Sequence, residues 1–236
     1  MHRAEVWRVR LEDQLPHLPS HWQRLQPDEH QRALRYHRDA DRARFVVARA
    51  TLRVRVGAFC GIAPQDVCFR TNAYGKLELP SPDALHFNTS HSGNWVLHAL
   101  STTAPVGIDV EAVEAGAGDA EMLASVLAPA ERAWLLSLAQ PLRADAFTAL
   151  WVRKEAYVKA LGEGLSRPLR AICALPADDG APQRLWEHDR EMPRDKLTLH
   201  PVELGAGYAA CLAYLGPAPT VRMLDYDAQQ GQTPLA

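Results

Sequence analysis

The sequence predicts an α+β fold built from two similar halves, with a cleft between them that would hold the functional site. In each half a nine-residue helical stretch ends at glycine, RATLRVRVG at 49–57 and KEAYVKALG at 154–162. In each half a turn of small residues leads into a strand pattern that begins with an aromatic residue, HSGNWVLHAL at 91–100 and LGAGYAACLAYL at 204–215. This repeat predicts that the two helices face each other across the cleft.

The order of the elements follows from hydrophobic periodicity. EVWRVRL at 5–11 alternates apolar and polar residues, which is typical of a strand. Residues 27–37 and 39–61 predict helices, and Gly57 or Gly61 could end the second. The remaining predictions are two short strands around an Asn72–Gly75 turn, a hairpin with a Thr/Pro turn over 87–113, helices near 119–138 and 143–161, and strands over 196–204 and 208–215. The predicted domains are residues 1–105 and 106–236.

Charge is distributed unevenly along the chain. A formal net charge of -2 over 236 residues excludes a chain that is basic as a whole, so no nucleic-acid partner is expected. Residues 32–55 nevertheless hold eight arginines and only two aspartates. This stretch is a candidate site for a phosphorylated ligand, and the alternative is a solvated helix face.

The four cysteines show neither a CxxC pair nor a spacing with histidine that suits a metal. We therefore expect free thiols in a reducing compartment. The first residues contain no apolar secretory segment, and no stretch approaches the length of a membrane span. A cytoplasmic protein without a membrane partner is expected, with residues 227–236 as a loose tail.

The helix predicted over 143–161 carries charges where a buried face is expected. Lys154 falls in the middle of the apolar arc, so its ammonium group must find a polar destination. Glu155 and Lys159 lie about 40° apart at the edge of that arc. An exposed pair of this kind contributes only roughly 0.2–0.5 kcal/mol. The pair is either an ordinary ion pair or part of a site.

The strand VGIDVEAV at 106–113 places two carboxylates on one face. Asp109 and Glu111 alternate with apolar residues and lie roughly 7 Å apart along the strand, beside Gly107. Oxygen ligands of this kind suit Mg²⁺, and Glu155 could supply a third carboxylate. The alternative is a solvent-facing acidic strand. A glycine at this position is consistent with the close approach of a ligand or a helix.

The stretch FNTSHSGNW at 87–95 is predicted to be a polar turn. Ser90, His91 and the backbone offer hydrogen-bond donors for phosphate oxygens. The chain has no Walker loop and no dinucleotide fingerprint. The serines of TSHSG also lack the flanking glycines of a nucleophile elbow.

Three blocks together resemble the larger 4′-phosphopantetheinyl transferases of the surfactin-synthetase-activating type. They are FNTSHSGNWV, VGIDVE and LWVRKEAYVKALGEGLS, in that order, with a looser likeness in YHRDADRARF and YGKLEL. The resemblance runs from about residue 24 to 170. It implies a pseudo-twofold α+β fold, transfer of the phosphopantetheine arm of coenzyme A to a serine of an apo acyl or peptidyl carrier protein, and release of adenosine 3′,5′-bisphosphate.

The resemblance also implies roles for single residues. Asp109, Glu111 and Glu155 would bind Mg²⁺, or Mn²⁺ in its place. Glu155 and Lys159 would be catalytic, with Glu155 acting as the base directly or through a water on the metal. The implied contacts with coenzyme A, its substrate, are Arg32, Arg44, Tyr74, Gly75, Lys76, Ser90, His91 and Lys159.

Two positions depart from the family pattern. Leu77 stands where the family commonly has proline after Gly-Lys, and Glu29 stands where a relative can carry a lysine for the 3′-phosphate. Arg32, Arg42 and Arg44 could compensate. A two-half length favours a monomer. Two rival functions remain: a different Mg²⁺-dependent nucleotide enzyme with the same acids, such as a hydrolase of coenzyme A, and a carrier-binding module without catalysis.

Overall fold

The computed structural model describes residues 2–81, 85–114, 120–164, 167–176, 185–188, 190–193 and 195–227, with the backbone alone at 120–122. Its α-helices are α1 Leu11–Gln14, α2 Leu18–Gln23, α3 Pro27–Leu34, α4 Asp39–Cys60, α5 Ala120–Val126, α6 Pro129–Ser137 and α7 Arg143–Leu161. Its strands are β1 Arg3–Arg10, β2 Arg70–Thr71, β3 Leu77–Glu78, β4 His86–Ser92, β5 Trp95–Ser101, β6 Val106–Ala112, β7 Ile172–Cys173, β8 Trp186–Glu187, β9 Arg190–Glu191, β10 Thr198–Pro201, β11 Tyr208–Tyr214 and β12 Thr220–Asp225.

Two main sheets organise these elements, beside the smaller sheets β2-β3 and β7-β8-β9. The first has the order β12-β1-β5-β4, and the second has the order β10-β11-β6. Apolar side chains of β1 and β5 share a buried cluster with those of β6 and β11, so the two sheets are packed together. The α+β class predicted from the sequence is confirmed. The pseudo-twofold relation and the boundary at 105/106 stay predictions.

Each sheet is covered by one long helix. Val47, Ala48 and Val54 of α4 pack with β1 and β5, because the apolar side of this arginine-rich helix faces the first sheet. The apolar arc of α7 packs on β11 and on the segments around α5 and α6. Both helices end at a glycine in the left-handed region, Gly61 after α4 and Gly162 after α7. Gly61 rather than Gly57 therefore ends α4, since Gly57 lies inside the helix, and Gly162 ends α7 as expected.

The hairpin predicted over 87–113 is wrong. The tight connection lies at Gly93 and joins β4 to β5, while β5 and β6 belong to different sheets. The stretch predicted to be a polar turn is consequently mostly strand, since β4 extends to Ser92. Strand β12, which pairs in parallel with β1, was not predicted. Of the loose tail expected at 227–236, only Asp227 belongs to the described residues.

None of the helices in the described part of the chain combines the length and the apolar character that crossing a bilayer requires. The cysteines Cys60, Cys68, Cys173 and Cys211 are free thiols, as expected.

Candidate active site

Strand β6 and helix α7 touch at Gly107. A Cβ atom at this position would lie 2.0 Å from the carbonyl oxygen of Ala156 and 2.3 Å from the amide nitrogen of Ala160. Any side chain would therefore force the strand away from the helix. The sequence led us to expect a ligand or a helix close to Gly107, and the structure shows that it is helix α7. This contact brings Asp109 of β6 next to Lys159 and Glu155 of α7.

A three-membered polar network lies at this contact. Lys159 Nζ donates to Asp109 Oδ1 at 2.5 Å and to Ser90 Oγ at 3.1 Å. Ser90 Oγ in turn donates to the same Asp109 oxygen at 2.8 Å. The salt bridge of Lys159 thus joins α7 to β6, rather than linking two turns of one helix.

The same contact buries two carboxylate oxygens that lack hydrogen bonds. Asp109 is 2% exposed and Glu155 is 8% exposed. Among the described residues neither Asp109 Oδ2 nor Glu155 Oε1 has a hydrogen-bond partner. A buried carboxylate oxygen without a partner is costly, so these two atoms mark a place where a cation would be favourable.

Burial also shifts the titration of these carboxyl groups. Burial, followed by the charge of Asp109, raises the pKa of Glu155 above the ordinary value. Burial raises the pKa of Glu111 as well, and hydrogen bonds from Ser92 and Trp151 oppose that shift. The three acidic side chains predicted from VGIDVE and the α7 helix therefore interact electrostatically.

The donor set fits Mg²⁺, because all three groups are carboxylates and two present free buried oxygens. Across the described ranges, however, no group of three or more His, Cys, Asp or Glu side chains is gathered closely enough to hold a metal ion. Asp109, Glu111 and Glu155 are thus neighbours without forming a closed ligand cage, and Lys159 lies against one of the Asp109 oxygens.

A cavity of about 320 Å³ opens beside this network. Its size lies within the range of small-molecule sites. Helix α4 contributes Ala48 and Arg49, and α7 contributes Lys159, so the cavity lies between the two long helices. The remaining lining residues are Arg32, Tyr36, Phe45, Leu52, Tyr74, Gly75, Lys76, Leu77, Phe87, Asn88, Thr89, His91, Gly162 and Gly164.

The structure gathers most of the predicted coenzyme A contacts at this cavity. Arg32, Tyr74, Gly75, Lys76, His91 and Lys159 line it. Ser90 does not line the cavity, and its hydroxyl group donates a hydrogen bond to Asp109. Arg44 is not among the lining residues. Its guanidinium group donates to the Gly93 carbonyl at the β4–β5 turn and pairs with Asp41.

Comparison with known proteins identifies the family. Residues 105–213 match the model of the 4′-phosphopantetheinyl transferase superfamily. Residues 13–103 match the N-terminal model of 4′-phosphopantetheinyl transferase. The 4′-phosphopantetheinyl transferase gsp of Aneurinibacillus migulanus is 31% identical over 183 residues, which cover 77% of this chain and 72% of the relative. The chain belongs to the 4′-phosphopantetheinyl transferase family.

The alignment with a second relative covers a larger part of this enzyme. The 4′-phosphopantetheinyl transferase Sfp of Bacillus subtilis strain 168 is 28% identical over 208 residues, covering 86% of this chain and 88% of the relative. The crystal structure of Thermotoga maritima holo-[acyl-carrier-protein] synthase covers 49% of this chain and 64% of its own, at 22% identity and a TM-score of 0.38. That structural likeness is too low to carry an argument.

In this transferase Lys76 has a contact that sequence reasoning did not foresee. Its Nζ donates to the carbonyl oxygens of Lys159, Ala160 and Val106, so the ammonium group caps the end of α7. Burial lowers the pKa of Lys76 to about 8. All three of its donors are occupied by the protein, so the side chain fixes α7 and the β2–β3 turn to one another beside the cavity.

Glu29 has a structural role in the enzyme. It is buried, and it accepts two hydrogen bonds from the guanidinium group of Arg53 and one from Arg49. Two arginines of the basic stretch are therefore already paired. Arg32, which lines the cavity and lies over the Phe45 ring, is the better placed of the arginines that the sequence proposed for phosphate.

Strand β4 separates two sets of polar side chains. Asn88 Oδ1 accepts from Ile108 N at 2.9 Å, and Ser92 Oγ accepts from Ala112 N at 3.0 Å, so one set joins β4 to β6. Thr89 and His91 alternate with them along the strand and line the cavity, to which Asn88 also contributes. The sequence places Thr89 among the polar residues of this stretch but does not single it out as a site residue, because treating the stretch as a turn concealed the period of two along the strand.

The polar destination expected for Lys154 is Glu131 of α6. Both side chains are 0% exposed and form a salt bridge. Lys154 Nζ also donates to the carbonyl oxygens of Val126 at 2.7 Å and Leu169 at 3.1 Å. Glu131 accepts from the amides of Ala128 and Ala174 at 2.8 and 2.7 Å. This fully hydrogen-bonded pair anchors the helical turn that carries Glu155.

Proposed function

We propose that this enzyme transfers the 4′-phosphopantetheine arm of coenzyme A to a serine of an apo carrier protein and releases adenosine 3′,5′-bisphosphate, in a Mg²⁺-dependent reaction. The observation that carries the proposal is the position of the cavity. Its lining includes Arg32, His91 and Lys159, which suit phosphate groups, and Lys159 joins it to the buried carboxylate of Asp109, next to Glu155.

The carboxylates of Asp109, Glu111 and Glu155 are the groups that would hold Mg²⁺. When bound, the ion supplies charge neutralisation at the pyrophosphate. The support is the two buried oxygens of Asp109 and Glu155 without hydrogen bonds, together with the oxygen-only donor set. Mn²⁺ has similar preferences and would be accepted as a replacement.

The residues of the chain would position and stabilise the reacting groups. Lys159 is held by Asp109 and Ser90, so its ammonium group is fixed at the edge of the cavity and would donate to the pyrophosphate oxygens. The bond that breaks joins the β-phosphorus to the bridging oxygen. That oxygen leaves with the nucleotide, which Arg32 and His91 would retain.

The nucleophile would come from the carrier protein. Its serine oxygen attacks the β-phosphorus, and the hydroxyl proton needs an acceptor. Glu155 is our choice of base, because its raised pKa makes it a stronger proton acceptor than an ordinary carboxylate. Acyl and peptidyl carrier proteins are the proposed class of partner, and the two-half length of the chain favours action as a monomer.

The test combines the protein with Mg²⁺, coenzyme A and a panel of apo acyl and peptidyl carrier proteins, and each carrier is weighed as an intact protein. A gain of one phosphopantetheine unit that chelation abolishes is expected. A matched carrier whose acceptor serine is replaced by alanine should gain no mass.

Other outcomes separate the alternatives. Consumption of coenzyme A without any gain in carrier mass would replace the proposal by hydrolysis. Binding of coenzyme A without consumption on any carrier would contradict catalysis and favour a binding module. Absence of coenzyme A binding would contradict the assignment of the cavity.

A further inference from the structure

Thr89 lies in the wall of the cavity and is joined to a buried hydrogen-bonded chain behind it. Its Oγ1 lies 2.8 Å from Nδ1 of His98, and the other ring nitrogen of His98 lies 2.8 Å from Thr51 Oγ1. Thr51 Oγ1 lies 2.7 Å from the carbonyl oxygen of Val47, one turn earlier in α4. His98 and Thr51 are both 0% exposed.

The directions of these hydrogen bonds follow from the carbonyl group at the end of the chain. A carbonyl oxygen only accepts, so the Thr51 hydroxyl proton must point to Val47. His98 Nε2 must then donate to Thr51. His98 is neutral at pH 7, because burial lowers its pKa to about 3, so it carries a single ring proton. Its Nδ1 is therefore an acceptor, and the Thr89 hydroxyl donates to it.

The opposite direction is unfavourable. If Nδ1 carried the proton, Thr51 would have to donate to Nε2, and its oxygen would face the Val47 carbonyl oxygen at 2.7 Å with no proton between them. Two acceptors at that separation repel, and the buried carbonyl would lose this partner. The chain therefore runs in one direction, from Thr89 through His98 and Thr51 to Val47.

This direction decides what Thr89 offers to a ligand. A hydroxyl group has one proton and two lone pairs, and the proton of Thr89 is already used by His98. Only acceptor capacity remains toward the cavity. Phosphate oxygens are also acceptors, so Thr89 does not suit a phosphate group, in contrast to Arg32 and Lys159 in the same cavity.

We infer that Thr89 is a specificity-determining residue that accepts a hydrogen bond from an N–H or O–H group on the nucleotide part of coenzyme A. The inference rests on the proposed function for the identity of the ligand. Coenzyme A carries two such groups at its nucleotide end, the 6-amino group of adenine and the ribose 2′-hydroxyl.

The direction of the chain is tested without any ligand by nuclear magnetic resonance of the ¹⁵N-labelled protein. Long-range ¹H–¹⁵N spectra distinguish the two neutral forms of a histidine, and the signal of His98 is assigned by its loss in His98→Gln. A proton on Nε2 is expected at pH 7. A proton on Nδ1 would overturn the inference, whatever the enzyme binds.

The contact with the ligand is tested by titration calorimetry with coenzyme A. Thr89→Val, which keeps the shape and removes the hydroxyl group, should raise Kd roughly three- to tenfold, the range of one hydrogen bond. Thr89→Ser should stay within about twofold of the parent protein, since the acceptor is retained. Thr148→Val is the control for the loss of a threonine hydroxyl group elsewhere: the Thr148 hydroxyl donates to the carbonyl of Ala144 within α7, and Thr148 does not line the cavity.

Two analogues distinguish the candidate donors. The Thr89→Val penalty should vanish with 2′-deoxy-coenzyme A if the ribose hydroxyl is the donor, and with an analogue that carries purine in place of adenine if the amino group is. A penalty that persists with both analogues, or no penalty with coenzyme A itself, would refute the role of Thr89. If the parent protein binds no coenzyme A, the proposed function fails and the ligand assignment fails with it.

Discussion

The two carboxylate oxygens of Asp109 have different surroundings. One of its carboxylate oxygens accepts from Lys159 and Ser90, while the other is buried without a hydrogen bond among the described residues. The first oxygen fixes the side chain, and the second is left available. Glu155 has a free buried oxygen of the same kind. Such partly satisfied groups are costly for folding and are typical of functional sites.

Glu155→Gln should reduce carrier modification at least about a hundredfold, the usual scale for losing a positioned acid or base. The metal-free protein should be as stable as the parent or more so. The pKa of Glu155 is raised, so its ionised form destabilises the fold above the ordinary pKa of a carboxyl group, and the amide removes that charge. Intact-mass kinetics and thermal unfolding measure the two effects.

The matched control is the exposed Glu114, three residues beyond Glu111. Glu114→Gln should leave the transfer rate unchanged and should change the free energy of unfolding by no more than about half a kcal/mol, as is usual for a surface position. Near-normal turnover of Glu155→Gln would remove Glu155 from the mechanism. A large loss of stability in that variant would instead show that the ionised carboxylate is a structural requirement.

At the scale of elements, the site depends on how closely β6 approaches α7. The strand supplies Asp109, the helix supplies Glu155 and Lys159, and the absence of a side chain at Gly107 permits the contact. The Lys154–Glu131 pair and the capping of α7 by Lys76 hold the same helix from other directions. Helix α7 is thus fixed through a buried side chain and at its C-terminal end, on either side of Glu155.

Gly107→Ala should destabilise the fold by about 3 kcal/mol or more and should abolish transfer. The added methyl group would lie 2.0 Å from a backbone oxygen that cannot rotate away, so strand and helix must separate. Urea unfolding measures the stability, and intact-mass kinetics measure the activity in the folded fraction.

Gly61→Ala is the control, because it replaces a glycine by alanine at a position without a steric clash. A Cβ atom there would meet nothing within 4 Å, but the residue has φ +69. It should cost about 1–2 kcal/mol through the left-handed conformation alone, and it should leave the transfer rate of the folded enzyme unchanged. If Gly107→Ala proved no more harmful than Gly61→Ala, the close contact would not be what positions Asp109.

At the scale of the whole molecule, side chains of β4 join the two sheets, and strand pairing joins the two ends of the chain. Asn88 and Ser92 of β4 bind backbone amides of β6, and β12 returns from the second half of the chain to pair with β1. The buried neutral histidines His21 and His98 belong to the first half. Burial lowers their pKa values to about 4 and about 3.

Stability should fall as the pH is lowered from 7 to 5. The unfolded chain protonates both histidines below its ordinary pKa near 6.5, whereas the folded protein keeps them neutral until lower pH. The stability each contributes is therefore complete above about pH 6.5 and decreases as the pH falls toward the folded pKa. Each histidine should account for about 2 kcal/mol between pH 7 and 5.

Urea unfolding at several pH values measures this dependence. His98→Gln removes one titrating group. Between pH 7 and 5 the free energy of unfolding of this variant should therefore decrease by about 2 kcal/mol less than that of the parent protein, even if the variant is less stable at pH 7. An unchanged slope in His98→Gln would show that His98 is protonated as readily in the folded protein as in the unfolded chain.

The sequence by itself determined the class of the fold, both long helices with their terminal glycines, the shared face of Asp109 and Glu111, and the need of Lys154 for a buried polar partner. These features are local: a period of two or 3.6 residues assigns each side chain to a face without reference to the rest of the chain. The three blocks that carry the family resemblance are equally local.

Only the tertiary structure decided which side chains and strands contact one another. Lys159 pairs with Asp109 and Ser90, which lie 50 and 69 residues away, and not with the glutamate one turn before it. Lys76 caps a helix that begins 67 residues later in the chain, and β12 pairs with the first strand. Periodicity assigns a residue to a face, but which surface meets that face depends on how the elements pack, and that information is spread over the whole chain.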